Sequence, residues 1–172
     1  MVNCTFEDTH RADFDPDANT ARFVEMIPQY RDCGVRAFTL CLQGGMPGYE
    51  GAVNSAYNRD GSLRADYMAR IGRVVDACDA QGIAVILSCY YQRQDQILHD
   101  AAAIRAGVVN AVEWIGERGY AHVVLEVANE FGHRGFTHEL LKTNDGQCEL
   151  VQLAQETCAE LLVSTVGQAP GA

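Results

Sequence analysis

The sequence predicts an α/β protein built on a parallel β-sheet. Three short apolar runs rich in β-branched residues occur at 35–42, 83–91 and 121–128, a pattern typical of buried strands. Helical segments separate these runs, since apolar residues recur on one face of 67–78 and of 104–115. Strands that alternate with amphipathic helices form parallel sheets with right-handed crossovers. We therefore expect four to five βα units.

The remaining elements complete this order. A first, weaker strand is expected in VNCTF at 2–6, followed by a helix over about 18–33 that is interrupted near Pro28. After the third apolar run, a helix over about 147–161 leads into a last weak strand, LLVSTV at 161–166. Helix, glycine and strand then follow one another repeatedly along the chain.

Glycine stands at each junction between a helix and the strand after it. Gly34, Gly82 and Gly119 each come just past a predicted helix and just before an apolar run. Helices commonly end with a glycine in the left-handed conformation. We expect that conformation at all three positions.

The composition suits a single domain, residues 1–172, that binds neither nucleic acid nor a membrane. Hydrophobic residues make up 48% of the 172, enough to bury a core, and no linker divides the chain. Acidic residues outnumber basic ones by 23 to 13, for a formal charge of −10. Such a charge repels a phosphate backbone and an anionic lipid surface.

Cysteine and histidine spacing gives no indication of a metal or a cofactor. The seven cysteines lie scattered, with no CxxC pair, and most of them are expected to be small buried side chains in a reducing compartment. His133 and His138 are five residues apart, which is not a same-face helical spacing. No phosphate or dinucleotide motif is present. The opening residues lack a signal-peptide pattern, so we expect a cytoplasmic chain as written.

Polar and aromatic residues are concentrated directly after the predicted strands, within the segments 43–62, 92–96 and 129–139. In parallel α/β folds, functional sites form at the carboxyl ends of the strands. Amides and aromatic rings in such places suit the hydroxyls and the apolar face of a sugar. The expected substrate-binding residues are Gln43, Glu50, Tyr90, Tyr91, Gln92 and His133, and Asp95 follows the same strand as the two tyrosines.

The third apolar run ends on an adjacent amide and carboxyl group, Asn129 and Glu130. If the pleat of the strand continues, Val124, Glu126 and Glu130 point to the same side. A carboxyl group at the carboxyl end of an apolar strand is well placed to act as a general acid. Glu130 could instead be a helix cap or a solvated loop acid.

The stretch LEVANEFG at 125–132 resembles the fourth-strand signature of the cellulase-like, family 5-type β-glycosidases of glycoside hydrolase clan A. In that family the strand ends in Asn-Glu. The resemblance implies that Glu130 is the catalytic acid/base and that Asn129 holds the 2-hydroxyl of the sugar. It also implies a truncated TIM-barrel-like fold, because those enzymes are complete (β/α)₈ barrels of about 250 residues. This chain would supply the N-terminal half only.

The resemblance leaves the second carboxyl group unassigned, because the family's nucleophile lies on the seventh strand. Retaining glycosidases hold their two carboxyl groups roughly 5 Å apart, and inverting ones roughly 6.5–9.5 Å apart. Glu126 is four residues from Glu130, about 13 Å along a strand, which is too far. Glu7, Asp8 and Glu50 belong to the correct edge of the sheet and could reach inward.

A half barrel also exposes two sheet edges and an inner apolar face, both prone to association. We therefore expect a homodimer in which a second copy completes the barrel. The predicted function is cleavage of small β-linked glucosides or galactosides by Glu130. The alternatives are a non-catalytic carbohydrate-binding or scaffold fragment of a longer barrel enzyme and, ranked lower, an isomerase or aldolase, since no strand ends in a Schiff-base lysine.

Overall fold

The computed structural model describes residues 2–44 and 52–167. Its sheet has four strands, all parallel and in the order β1-β2-β3-β4. The strands are β1 (Ala37–Cys41), β2 (Ala84–Tyr90), β3 (Val123–Ala128) and β4 (Val163–Ser164). They correspond to the second to fifth strands predicted from the sequence. The VNCTF segment contributes an isolated parallel bridge between Val2 and Leu40.

Four α-helices alternate with these strands, as the periodicity predicts. They are α1 (Pro16–Asp32), α2 (Ala65–Ala80), α3 (Ala101–Arg118) and α4 (Asn144–Thr157), and short 3₁₀ turns occur at Asp95–Ile97 and Glu139–Leu141. Side-chain caps begin three of the helices: Asp15, Asp100 and Thr143 accept hydrogen bonds from Ala18 N, Ala103 N and Gly146 N. The left-handed glycines are also confirmed, with φ of 95° at Gly34, 63° at Gly82 and 66° at Gly119.

Two helix predictions are wrong in detail. Pro28 lies inside α1, which continues for a further turn to Asp32. Proline removes one helical hydrogen bond, but the neighbouring Ile27 is fully buried, and its packing holds the helix to the core. Helix α4 ends at Thr157 rather than near 161, because the chain turns extended at Cys158 to enter β4.

The two faces of the sheet have different surroundings. Val85, Leu87 and Leu125 point to the helices and are fully buried in the core. Ile86 and Val124, which are register partners on the opposite face, are only half-buried. The structure is therefore an open parallel sheet with helices on one side, as in part of a (β/α) barrel. No helix among the described residues is long and apolar enough to cross a membrane.

Candidate active site at the carboxyl edge of the sheet

Glu130 lies in a turn directly after β3, which ends at Ala128. Its backbone is left-handed, with φ of 55°. The pleat therefore does not continue to Glu130, and the prediction that it lines up with Val124 and Glu126 is wrong, because the chain turns at the strand end. The side chain of Glu130 is exposed to solvent. This exposure leaves the carboxyl group accessible at the edge of the sheet.

Neighbouring segments hold the turn in place. The amide Nε2 of Gln92 donates a hydrogen bond of 3.1 Å to Oε2 of Glu130. The Glu130 carbonyl accepts from His133 N at 3.1 Å, and Phe131 N donates to the Val166 carbonyl at 2.8 Å. The turn after β3 is thus fixed both to the segment after β2 and to the segment after β4.

Asn129 stands beside Glu130 and is half-buried. Its backbone N–H donates to the Tyr90 carbonyl at 3.1 Å, which extends the pairing of β2 with β3 by one step. The side-chain amide makes no hydrogen bond to any residue within 2–44 and 52–167. It therefore retains its capacity to bind a ligand hydroxyl.

Two of the predicted substrate-binding residues, Gln92 and His133, form hydrogen bonds with Glu130. Gln92 contacts the Glu130 carboxylate directly, although its own side chain is buried. His133 is half-buried, and its Nδ1 accepts a hydrogen bond of 2.9 Å from Gly135 N. A neutral His133 ring therefore carries its proton on Nε2. Tyr91, the residue before Gln92, is 8% exposed, so little of its ring reaches solvent.

Two of the predicted substrate-binding residues are structural instead. Tyr90 is fully buried, its ring stacks on Tyr57, and its hydroxyl donates to the Ile104 carbonyl in α3. Gln43 is also fully buried, and its Nε2 donates to Ser55 Oγ and to the Gln94 carbonyl. Both are satisfied within the protein and face away from solvent. We therefore remove them from the set of residues expected to contact substrate. Glu50, the sixth member of that set, lies outside the described residues.

The described acids considered as companions of Glu130 are engaged elsewhere. Glu7 accepts hydrogen bonds from Arg64 at 2.9 and 3.0 Å and also pairs with Arg70. Asp8 accepts from His10 N at 3.0 Å, in a local turn. Two cationic guanidinium groups neutralise Glu7, so it does not provide a free carboxylate at this edge.

Glu126 lies deeper, on the inner face of the sheet, and is 3% exposed. Its register partner in β2 is Ser88. Burial raises the pKa of the Glu126 carboxyl above its ordinary value, and the neighbouring Ser88 hydroxyl opposes that shift.

One network at this edge was missed from the sequence. Asp95 is fully buried, and its Oδ2 accepts from Thr137 N at 2.7 Å, from Thr137 Oγ1 at 3.0 Å and from His138 N at 3.1 Å. His138 Nδ1 lies 3.2 Å from the same oxygen. The sequence places Asp95 at a strand end, but it contains no local signal that pairs residues 42 and 43 positions apart. Among the described residues, no group of three or more His, Cys, Asp or Glu side chains is arranged to hold a metal ion.

Comparison with solved structures finds barrels of glycoside hydrolases. A GH5-4 broad-specificity endoglucanase from an uncultured bovine rumen ciliate is 16% identical with a TM-score of 0.63, over 94% of this chain and 47% of that chain. One from Clostridium longisporum is also 16% identical, with a TM-score of 0.59, over 83% of this chain and 43% of that chain. A β-glucosidase from Thermotoga maritima is 13% identical, with a TM-score of 0.57, over 88% of this chain and 38% of that chain.

This chain has the fold of part of a (β/α) barrel, similar to part of the barrels of these glycoside hydrolases. It spans less than half the length of each of these structures. The prediction of a truncated TIM-barrel-like fold is therefore confirmed. No protein-family model and no curated protein sequence matches the chain.

Proposed function

We propose that the protein is a glycoside hydrolase that cleaves small β-linked glycosides, with Glu130 as the general acid/base. The observation that carries the proposal is the position of the Asn129-Glu130 pair. It closes a parallel strand at the carboxyl edge of a sheet whose fold is similar to those of two endoglucanases and a β-glucosidase. Sites in parallel α/β folds form at that edge.

The local structure supports a functional role for Glu130. A non-glycine residue in the left-handed conformation is strained by about 1–2 kcal/mol, and such strain is concentrated at functional sites. The carboxyl group is exposed and receives a hydrogen bond from Gln92. An accessible carboxyl group with an adjacent amide can protonate a glycosidic oxygen and then take the proton back from water.

In this proposal Asn129 holds the 2-hydroxyl of the sugar and His133 lines the same rim. An amide at this position donates to or accepts from a hydroxyl, and such bonds strengthen as the transition state forms. The sheet is open on its inner side, so the site has incomplete walls. We infer that small glycosides are better substrates than long polymers.

The second carboxyl group is proposed to come from a second copy of the chain. Glu7 is neutralised by two arginines, and Glu126 lies below the edge on the inner face. In a two-fold dimer of half barrels, Glu130 of the partner subunit would face Glu130 across one mouth. Glu50 is the other candidate within the chain.

The test is hydrolysis of aryl β-glucosides and β-galactosides by the native chain and by Glu130→Gln. Loss of a general acid lowers the rate by about 10²–10⁴-fold. We expect that loss in Glu130→Gln, with azide or a better leaving group restoring part of the rate. Equal rates for the two proteins would contradict the assignment.

A second candidate function, carbohydrate binding without catalysis, makes a different prediction. The native chain and Glu130→Gln would then bind cellobiose equally in calorimetry while neither hydrolyses an aryl glycoside. In the catalytic proposal, Asn129→Ala lowers kcat/KM. Glu50→Gln lowers kcat/KM only if Glu50 supplies the second carboxyl group.

A further inference from the structure

We propose that Asp95 is the positioning residue that holds Glu130 in place, acting through the loop that carries it. This inference deepens the proposed function and rests on it. The loop in question comprises residues 129–138, after β3, and it lies against residues 92–96, after β2. Contacts between these two segments extend from Glu130 to the far end of the loop.

The two segments are joined at three successive points. At the first, Gln92 Nε2 donates to Glu130 Oε2 at 3.1 Å. At the second, the Gly135 carbonyl accepts from Arg93 N at 3.1 Å and from Gln96 Nε2 at 2.9 Å. At the third, Asp95 Oδ2 accepts the bonds from Thr137 and His138 described above.

The middle point requires close approach of the two segments. A methyl group added at Gly135 would lie 3.0 Å from His133 Nδ1, 3.2 Å from Gln92 Cβ and 3.3 Å from Arg93 Cγ. Such distances are shorter than ordinary van der Waals contact. The 129–138 loop is therefore packed against the 92–96 segment between its ends, and movement of one segment shifts the other.

Asp95 makes more hydrogen bonds than the other two connections. Its carboxyl group is fully buried, and one oxygen accepts from two backbone N–H groups and from the Thr137 hydroxyl. Two of its donors are backbone N–H groups, which would be left without this partner if the carboxyl group were removed. The loop would then lose its anchor at the end opposite to Glu130.

The 92–96 segment is itself fixed to the rest of the edge. Gln94 Oε1 accepts from Asn54 N at 2.8 Å, and Gln94 Nε2 donates to the Ala52 carbonyl at 3.0 Å. Gln43 Nε2 donates to the Gln94 carbonyl at 3.0 Å. Asp95 thus connects the Glu130 loop to a segment that is fixed on the other side by the chain after β1.

The strained backbone of Glu130 makes this anchoring necessary. A left-handed glutamate persists only where the surroundings hold it. When the loop is released at Thr137 and His138, we expect Glu130 to relax toward ordinary φ values and to leave its contact with Gln92. Misplacement of a catalytic group by about 1 Å costs on the order of 10²-fold in rate.

The first test compares Asp95→Ala, Asp95→Asn and Asp100→Ala on an aryl β-glycoside. Asp100 caps α3 by accepting from Ala103 N and makes no hydrogen bond to the loop among the described residues, so Asp100→Ala is a control that also removes one carboxylate. We expect kcat to fall by about 10–100-fold in Asp95→Ala with KM changed less than about threefold. Asp100→Ala should retain kcat within about twofold.

Asp95→Asn is the conservative variant, and it keeps the proposal testable if Asp95→Ala fails to fold. Its amide oxygen can take the place of Oδ2, and Oδ1, which has no hydrogen-bond partner among the described residues, is the atom replaced by NH₂. We expect a kcat between those of the native chain and Asp95→Ala. A native kcat in Asp95→Ala, or a loss confined to KM, would overturn the proposal.

A double-mutant cycle with Gln92→Ala separates positioning from general destabilisation. If Asp95 acts by placing Glu130 against Gln92, the second substitution adds little to the first, and the combined loss of kcat is well below the product of the single losses. Losses that multiply would overturn the proposal.

A second measurement needs no activity and separates this inference from the proposed function. We expect backbone amides of 131–138 to exchange hydrogen at least about tenfold faster in Asp95→Ala than in the native chain, with Asp95→Asn between the two and α2 unchanged. Unchanged exchange in the loop would overturn the proposal. Faster exchange in a chain without glycosidase activity would retain the anchoring role and reject the hydrolytic one.

Discussion

At the scale of single residues, backbone strain coincides with the candidate site. Among the described residues, Arg93 and Glu130 are the only non-glycine residues with positive φ, 63° and 55°. They follow the neighbouring strands β2 and β3 and lie in the two segments that contact each other. The backbone strain at Arg93 and Glu130 is explained if the site requires these two side chains, because their function then outweighs the cost of the left-handed backbone.

The strained backbone at Glu130 predicts that glycine is tolerated better than alanine at this position. Alanine and glycine both remove the carboxyl group, but only glycine adopts positive φ without a Cβ penalty. We expect Glu130→Gly to be more stable than Glu130→Ala by about 0.5–1 kcal/mol in urea unfolding. Exposed Glu113 in α3 is the matched control, where alanine should be more stable than glycine by about 1 kcal/mol. The same order at both positions would contradict strain at Glu130.

Glu126 predicts a dependence of stability on pH. Its raised pKa means that the folded chain binds the proton more tightly than the unfolded chain. The free energy of unfolding therefore falls as pH rises from the ordinary carboxyl value to the raised one, and the loss is complete above it. Glu126→Gln abolishes this titration.

We expect Glu126→Gln to gain stability relative to the native chain between about pH 4 and pH 8, measured by urea unfolding at both ends. Ser88→Ala should have the opposite effect to Glu126→Gln on the dependence of stability on pH. Because the Ser88 hydroxyl lowers the pKa of Glu126, its removal should raise that pKa further and enlarge the loss of stability toward high pH. A pH-independent difference between Glu126→Gln and the native chain would contradict the buried titration.

At the scale of elements, apolar patterns predict the fold well and the side-chain environment less well. The runs 35–42, 83–91 and 121–128 contain the three long strands, because strand burial is encoded in local composition. Tyr90 shows the limit. It ends β2, as predicted, but its hydroxyl bonds to α3, and that contact depends on helix packing rather than on strand position.

The packing of α3 on Tyr90 gives a test within one helix. A methyl group added at Gly107 would collide with the Tyr90 hydroxyl and lie 3.0 Å from a Tyr57 ring carbon. We expect Gly107→Ala to destabilise the protein by about 1–3 kcal/mol. At Gly116 in the same helix the added methyl would meet nothing within 4 Å, so Gly116→Ala should stabilise it by about 0.5–1 kcal/mol. Thermal unfolding of both variants measures the difference, and a gain at Gly107 would contradict the contact.

At the scale of the whole molecule, the four strands of the sheet are too few to close an eight-stranded barrel. The order of strands and the position of Glu130 at their carboxyl edge follow from sequence. The hydrogen bonds that hold Glu130 do not, since Gln92 is 38 residues away and Asp95 is 42 residues from Thr137. Such contacts arise only once the parallel register places two loops side by side.

The open inner face predicts self-association of this chain. Ile86 and Val124 are apolar, adjacent in register and half-exposed, and a stable interface must bury about 1,000 Å² or more. We expect the native chain to sediment at twice its mass of 18.8 kDa. Val124→Glu places a charge on that face and should give a monomer. Met26→Glu, at an exposed position on α1, should leave the dimer intact.

If the second carboxyl group comes from a second copy, activity per chain falls together with the dimer fraction on dilution. A monomeric native chain with full activity would reject both the association and the shared site.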